Sequence, residues 1–294
     1  MKMAFYPGCS LESTSKEYRD SALVVARALG IEIEEIPDWI CCGSTPAHMS
    51  DELLGIALPS YNLQLAKRME AEGVLAPCAS CYSRLKAANH AVTSDPDKRE
   101  KVAEVLGEAY EGDVAVRHML EPIDEIVKQP DFGSRLKQRL TGLKVASYYG
   151  CLLVRPPEIT GFDDPEDPQS LDRMVAAIGA VPVKWRYKVE CCGAALAFAR
   201  PEIVEKLSGE ILQDAKGSGA DVVIVACPLC QSNLDLRQRD IEKFLGIDLE
   251  IPVLYFTQLL GLALGFSSKE LGLDKHVINP VPVLKKHGIT VRGC

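Results

Sequence analysis

Short apolar runs alternate with longer amphipathic stretches along this chain, the pattern of an α/β protein. Residues 3–8, MAFYPG, read as a buried strand that ends on Cys9. The polar stretch after it sets Tyr18, Leu23, Val24 and Leu29 at helical spacing and stops at Gly30. IEIEEI at 31–36 alternates with strand periodicity until Pro37 and Asp38 turn the chain. A helix is expected at about 51–72, ended by Gly73, then VLAP as a short buried strand and ASCYSRLKAANHAV as a helix. The second half repeats this order. KVASYYG reads as a strand, the acidic loop TGFDDPEDPQS leads to a helix near 170–178, and VPVKWRYKVE follows. After a helix at about 202–217, the strand DVVIVA runs into a helix through Leu236. Residues 100–141 read as two helices crossing between the halves, and VLYFTQLLGLALGF at 253–266 as a buried C-terminal helix.

The cysteines fall at the ends of these predicted strands. Ten of the eleven form one pattern written twice: Cys9, Cys41, Cys42, Cys78, Cys81, then Cys151, Cys191, Cys192, Cys227, Cys230. Each copy is a single cysteine, a CCG tripeptide and a CxxC, and VLAPCASCYSRL and VIVACPLCQSNL share Cys, Cys, Ser and Leu in register. An internal duplication predicts two halves, 1–141 and 142–294, each a small mainly parallel sheet with helices, related by a pseudo-twofold. Cysteine loops then gather at the carboxyl ends of strands, where α/β folds place ligands, and the two sites come near each other across the interface. Five thiols exceed the four of a tetrahedral zinc site, and adjacent cysteines do not readily chelate one small ion. An extended iron–sulfur assembly is the natural occupant. Each CxxC opens a helix, where backbone N–H groups stabilise anionic sulfur.

Composition excludes several alternatives. A net charge of −8 leaves no excess of Lys and Arg to neutralise phosphates, which argues against nucleic acid as a partner. No run of about 18 apolar residues exists to span a bilayer. MKMAFYPGC has no basic segment followed by an apolar run and cleavage site, so a cytoplasmic protein with reduced thiols is expected, not a secreted disulfide scaffold. There is no GxSxG, no HExxH and no GxGxxG followed by an acidic residue. Electrons must therefore come from a partner, expected to be an iron–sulfur protein.

The segments YPGCSLE at 6–12, DWICCG at 38–43, APCASCY at 76–82, CCG at 191–193 and CPLC at 227–230 resemble the CCG-domain, cysteine-rich iron–sulfur family, most closely the group of heterodisulfide reductase B-type subunits in its bacterial or accessory versions. The resemblance implies a non-cubane 4Fe-4S cluster on each five-cysteine motif. It implies cleavage of a disulfide, in that group the one joining coenzymes M and B. Electrons would arrive through the iron–sulfur C-type subunit from the flavin-containing A-type subunit of such a complex. Relatives of the same domain serve in glycolate- or lactate-oxidising complexes and as an anchor subunit of succinate dehydrogenase. An electron-relay role, with ordinary clusters or a structural zinc in the first motif, is thus the alternative to disulfide reduction.

Other candidates surround the cysteines. His48, in the loop expected to line the first cluster, is a candidate proton donor to a departing thiolate, or else a loop histidine bonded to backbone or water. Arg155, Lys184, Arg186 and Lys188 gather near the second motif and could bind a substrate carboxylate, sulfonate or phosphate, with Arg155 the leading choice, or else form a solvated face. Trp39 and Trp185, each just before a CCG, are expected to shield a cluster from water. His90 and His118 are read as surface or packing residues on helices, His276 and His287 as tail residues without chemistry, and Cys294 as a bystander.

Overall fold

In the computed structural model, which describes residues 2–44 and 46–293, the strands form two four-stranded sheets; Cys294 lies outside the described residues. β1 (Lys2–Phe5), β2 (Glu32–Glu35), β3 (Val74–Ala76) and β4 (Val116–His118) lie in the order β2-β1-β3-β4. β5 (Lys144–Tyr148), β6 (Val181–Pro182), β7 (Val222–Val225) and β8 (Val253–Tyr255) repeat it as β6-β5-β7-β8. Every pairing is parallel. Parallel neighbours need crossover connections, which the helices Lys16–Leu29, Glu52–Lys67 and Pro201–Gly217 supply. The expected duplicated α/β architecture is present.

The strand order positions the site. In each sheet the chain first moves to one side of its opening strand and then crosses to the other, so the direction of winding reverses between β1 and β3 and between β5 and β7. Ligands of open α/β sheets bind beyond the carboxyl ends of strands at such a switch point. Cys9 and Cys78 follow β1 and β3 there, and Cys151 and Cys227 follow β5 and β7. β3 and β7 are buried throughout, as strands covered on both faces must be. β2 lies at a sheet edge, with Glu32, Glu34 and Glu35 exposed, charges that oppose unwanted strand addition.

Two expectations from sequence are corrected. Residues 100–141 do not hold only two helices: after the helix Pro96–Leu106 the chain forms β4, which ends at His118, so His118 is not helical. The apolar stretch at 253–266 is not one helix either, because residues 253–255 pair with β7 before the helix Phe256–Leu264 begins. Both strands are three residues long, too short to show alternation.

One apolar core runs through both halves. Tyr18 stacks on Tyr255 with ring centroids 4.1 Å apart and planes at 4°. Ser21 Oγ and Thr257 Oγ1 share a buried hydrogen bond of 2.7 Å. Arg173 grips Asp124 through two hydrogen bonds of 2.8 Å. The tail returns to the first half, where the Ser268–Leu271 helix packs on the Lys16–Leu29 helix. No helix among the described residues is long and apolar enough to cross a membrane.

Candidate functional site

The cysteine loops are held by the same parts in both copies. Tyr6 donates its hydroxyl to the Ile40 carbonyl at 2.7 Å, and Tyr148 does the same to Glu190 at 2.7 Å, so each opening strand is tied to the residue just before its CCG. Asn62 clamps Ile40 from both sides, accepting from its N–H at 2.8 Å and donating to its carbonyl at 3.0 Å. Trp39 packs edge-on against Tyr6 at 5.5 Å, and Trp185 lies against Tyr148 at 6.3 Å. The tryptophans thus buttress the tyrosines behind the loops, and neither lines a cysteine cavity.

Gly8 and Gly150, each directly before the first cysteine of its motif, sit at φ of +70° and +69°. A Cβ at Gly8 would stand 2.8 Å from Cys81 Sγ, and one at Gly150 would stand 3.2 Å from Cys230 Sγ. Only glycine takes this conformation without strain and leaves room for the CxxC sulfur beside the strand end.

All five cysteines of the first motif line a cavity of about 670 Å³, and all five of the second line one of about 230 Å³. Ser44, Ser80, Ala194, Ala195 and Leu229 face both cavities and so form their common wall. The sulfurs of Cys42 and Cys81 are 3.5 Å apart, those of Cys192 and Cys230 3.6 Å apart, and Cys78 and Cys227 lie close enough across the halves to shift each other's titration. All ten are free. Among the described residues no three His, Cys, Asp or Glu side chains are arranged as the shell of a single metal ion. Five soft sulfur donors on the walls of a cavity, with glycine clearance beside the CxxC, fit a multi-iron sulfide group.

Hydrogen bonding divides the thiols. Cys41 is held well below the ordinary thiol range by bonds from Cys42 and Cys9 and from the Gly43 N–H. Cys191 is lowered to about 6 by Cys151 and by the Gly193 N–H, 3.3 Å from its sulfur. Cys78, Cys81 and Cys230 are pushed up, chiefly by hydrogen bonding with neighbouring sulfurs, and burial adds to this. Cys41 and Cys191 are also exposed, whereas Cys78, Cys81 and Cys230 are buried. In metal-free protein at pH 7, iodoacetamide is therefore expected to label Cys41 and Cys191 well before Cys78, Cys81 and Cys230, since the thiolate is the nucleophile. Peptide mass mapping over time checks this, and uniform labelling would contradict it.

The remaining candidates separate. His48 lines the second-motif cavity, not the first. Burial, and then the charge of Arg84, lower its pKa, so its proton-donating form is the minority at pH 7. Arg155 lines neither cavity and pairs with Glu166 at 2.9 Å. Arg186 is paired with Asp214, Lys188 is paired with Asp167 and Asp172, and Lys184 is exposed. His276, far from idle, is buried and bonds to Gln258 at 3.0 Å beside Asp235. His118 is buried between the halves: its Nε2 donates to the Pro77 carbonyl at 2.7 Å and the Ala226 carbonyl at 3.1 Å, the residues just before Cys78 and Cys227. Arg84, which is not among the candidates drawn from the sequence, lines the second-motif cavity. The signal that could have found it is positional, since it stands in register with Asn233 after the second CxxC.

The paired parallel sheets with a five-cysteine cavity beyond each switch point belong to a known class. The cysteine-rich CCG domain matches residues 3–86 and 145–235, and the chain is a member of that family. It is 34% identical over 281 residues to the 8-methylmenaquinol:fumarate reductase membrane anchor subunit of Wolinella succinogenes, covering 95% of this chain and 97% of that one. It is 31% identical over 293 residues to the B-type subunit of the ferredoxin/F420H2-dependent CoB-CoM heterodisulfide reductase of Methanosarcina acetivorans, covering 97% and 96%. The fold matches the crystal structure of a hypothetical protein from Helicobacter pylori with a TM-score of 0.78 at 16% identity, over 95% of this chain and 52% of that one.

Proposed function

We propose that each five-cysteine motif holds one iron–sulfur cluster, of the non-cubane 4Fe-4S type, and that the chain is the catalytic subunit of a cytoplasmic complex that reduces a disulfide. The reaction consumes one disulfide, two electrons and two protons and releases two thiols. Electrons come from an iron–sulfur subunit, supplied in turn by a flavin-containing subunit. The observation that carries the reading is the common wall. Two five-thiol cavities meet at Cys78 and Cys227 and share Ser44, Ser80, Ala194, Ala195 and Leu229. A substrate with two sulfurs can therefore address both motifs at once.

The clusters would supply one electron each and irons with room for a sulfur ligand. The chain's own groups hold them, Cys9, Cys41, Cys42, Cys78 and Cys81 at one site and Cys151, Cys191, Cys192, Cys227 and Cys230 at the other. Tyr6 and Tyr148 fix the loop spacing, and His118 holds the two CxxC turns together. Ser44 and Ser80, bonded to each other, offer hydroxyls at the common wall through which solvent protons can reach a thiolate. His48 stands at the second cavity as a neutral imidazole suited to passing a proton on.

The identity to a fumarate reductase subunit favours a second reading, in which the same two centres relay electrons and bind no substrate. The test is anaerobic incubation of the iron-loaded protein with a reduced low-potential dye and small disulfides. Release of two thiols per disulfide, with matching dye oxidation, is expected. Electron transfer to a protein or dye acceptor without thiol release would leave the relay reading in its place.

A further inference from the structure

Of the four cations that the sequence gathers near the second motif, Arg155, Arg186 and Lys188 each pair with carboxylates, and Lys184 is exposed and lines neither cavity. Arg84 differs from all four. It is half-buried on the Ala79–Ser94 helix, one turn past Cys81, and among the described residues it makes no hydrogen bond or ion pair. It lines the second-motif cavity and also an adjoining groove of about 520 Å³. His48 and Arg84 are the residues that groove and cavity have in common, so they flank the passage from one to the other. The groove's other cation, Lys98, is paired with Glu52 at 2.6 Å.

The pseudo-twofold counterpart is different. Asn233, in register with Arg84, lines the first-motif cavity, is neutral, and already donates to the Cys192 carbonyl at 3.1 Å. That cavity is edged by Met49, Ala197 and the fully exposed Phe198, and the guanidinium that lines it, Arg237, already donates to the Ala197 carbonyl at 3.0 Å. One end of the joint site thus carries a guanidinium without a partner, and the other an apolar rim beside a guanidinium already bonded to backbone. Burial works against the Arg84 charge, so a bound anion would meet an unmet demand.

We propose that Arg84 is a specificity-determining residue, which binds the carboxylate, sulfonate or phosphate of a thiol or disulfide whose sulfur enters the second-motif cavity. The partner half of such a disulfide lies toward the apolar rim. A guanidinium suits this task because it grips such groups with two parallel hydrogen bonds and is more weakly hydrated than an ammonium. The inference rests on the proposal that the cavity takes substrate sulfur, and binding and turnover are measured separately for that reason.

Iron-loaded protein is titrated anaerobically with 3-sulfanylpropionate, 2-sulfanylethanol and 2-sulfanylethylamine, thiols of similar size with anionic, neutral and cationic ends, and binding is read by calorimetry. Wild type is expected to favour the carboxylate thiol over the neutral one by about tenfold or more, as a charge-assisted bidentate pair predicts. Arg84→Gln should remove that preference and Arg84→Lys should restore part of it, with iron content and circular dichroism unchanged. No preference in wild type, or a preference retained in Arg84→Gln, overturns the proposal. So does a variant that shifts a cluster potential but not the selectivity, which would make Arg84 a counter-charge for the cluster. Arg84-dependent binding without turnover of the matching disulfides sustains the anion site and removes disulfide reduction; turnover without Arg84-dependent selectivity does the reverse.

Discussion

Replacing Cys227 with serine is expected to remove about half of the bound iron and to lower disulfide reduction by more than about 100-fold, beyond the 10–100-fold typical of losing a supporting residue. Cys227 is buried, is held well below the ordinary thiol range by Cys230 and Cys78, and so lies beside the first motif at Cys78. A serine hydroxyl is a hard, poorly ionised donor and cannot replace that thiolate for iron. The position at the contact between motifs makes the variant informative twice over. Its iron content and sulfide report the second site, and the electron spin resonance of the remaining iron reports how far the first site depends on the second. Iron and turnover both at wild-type levels would exclude Cys227 as a ligand. Cys78→Ser is expected to mirror the result for the first motif.

The second large effect is expected at His118. Nδ1 accepts the Leu120 N–H at 3.1 Å, which fixes the proton on Nε2, and Nε2 spans Pro77 and Ala226. Pro77 O keeps a second donor in Tyr18 at 2.9 Å, so His118→Ala leaves Ala226 O without its side-chain partner and opens a cavity between the halves. The expected loss is about 3 kcal/mol from those two sources together.

The same burial makes His118 sensitive to acid. It lowers the folded-state pKa to about 4, against about 6.5 in the unfolded chain. The unfolded state therefore takes up the proton first as pH falls. The contribution of neutral His118 is full above about pH 6.5 and declines between about 6.5 and 4, by about 3 kcal/mol in all. Urea midpoints at pH 7.5 and 4.5 test this by comparing wild type with His118→Gln, which has no group to titrate there. The variant should lose less stability between the two pH values. Equal losses would show that His118 does not carry the acid sensitivity.

Much of the site is legible in the chain because its chemistry is written in a repeated, spaced residue type. Cysteine positions at three predicted strand ends per half locate both motifs, and the parallel strand order brings them to their switch points. What escapes has no periodic signature. β4 and β8 are three residues each, and β4 ends in Arg117 and His118, which read as a polar stretch until a neighbouring strand covers them. The role of His118 depends on two carbonyls 41 and 108 residues away, a relation that no local window contains. Arg155 stands out in sequence because it lies four residues after Cys151, but the cis Arg155–Pro156 peptide and the pairing with Glu166 belong to a loop outside both cavities. Arg84 does not stand out, although the duplicated CxxC alignment sets it against a neutral Asn233. A charge that appears in only one copy of a repeat marks where the two halves have diverged.

Paired clusters are tested most directly by measuring iron, acid-labile sulfide and zinc per chain in protein purified without oxygen. About eight irons with matching sulfide and no zinc is the expected result, one four-iron group for each five-cysteine motif. About four irons with one zinc would contradict it, leaving a single redox centre and no second site for the other sulfur of a disulfide.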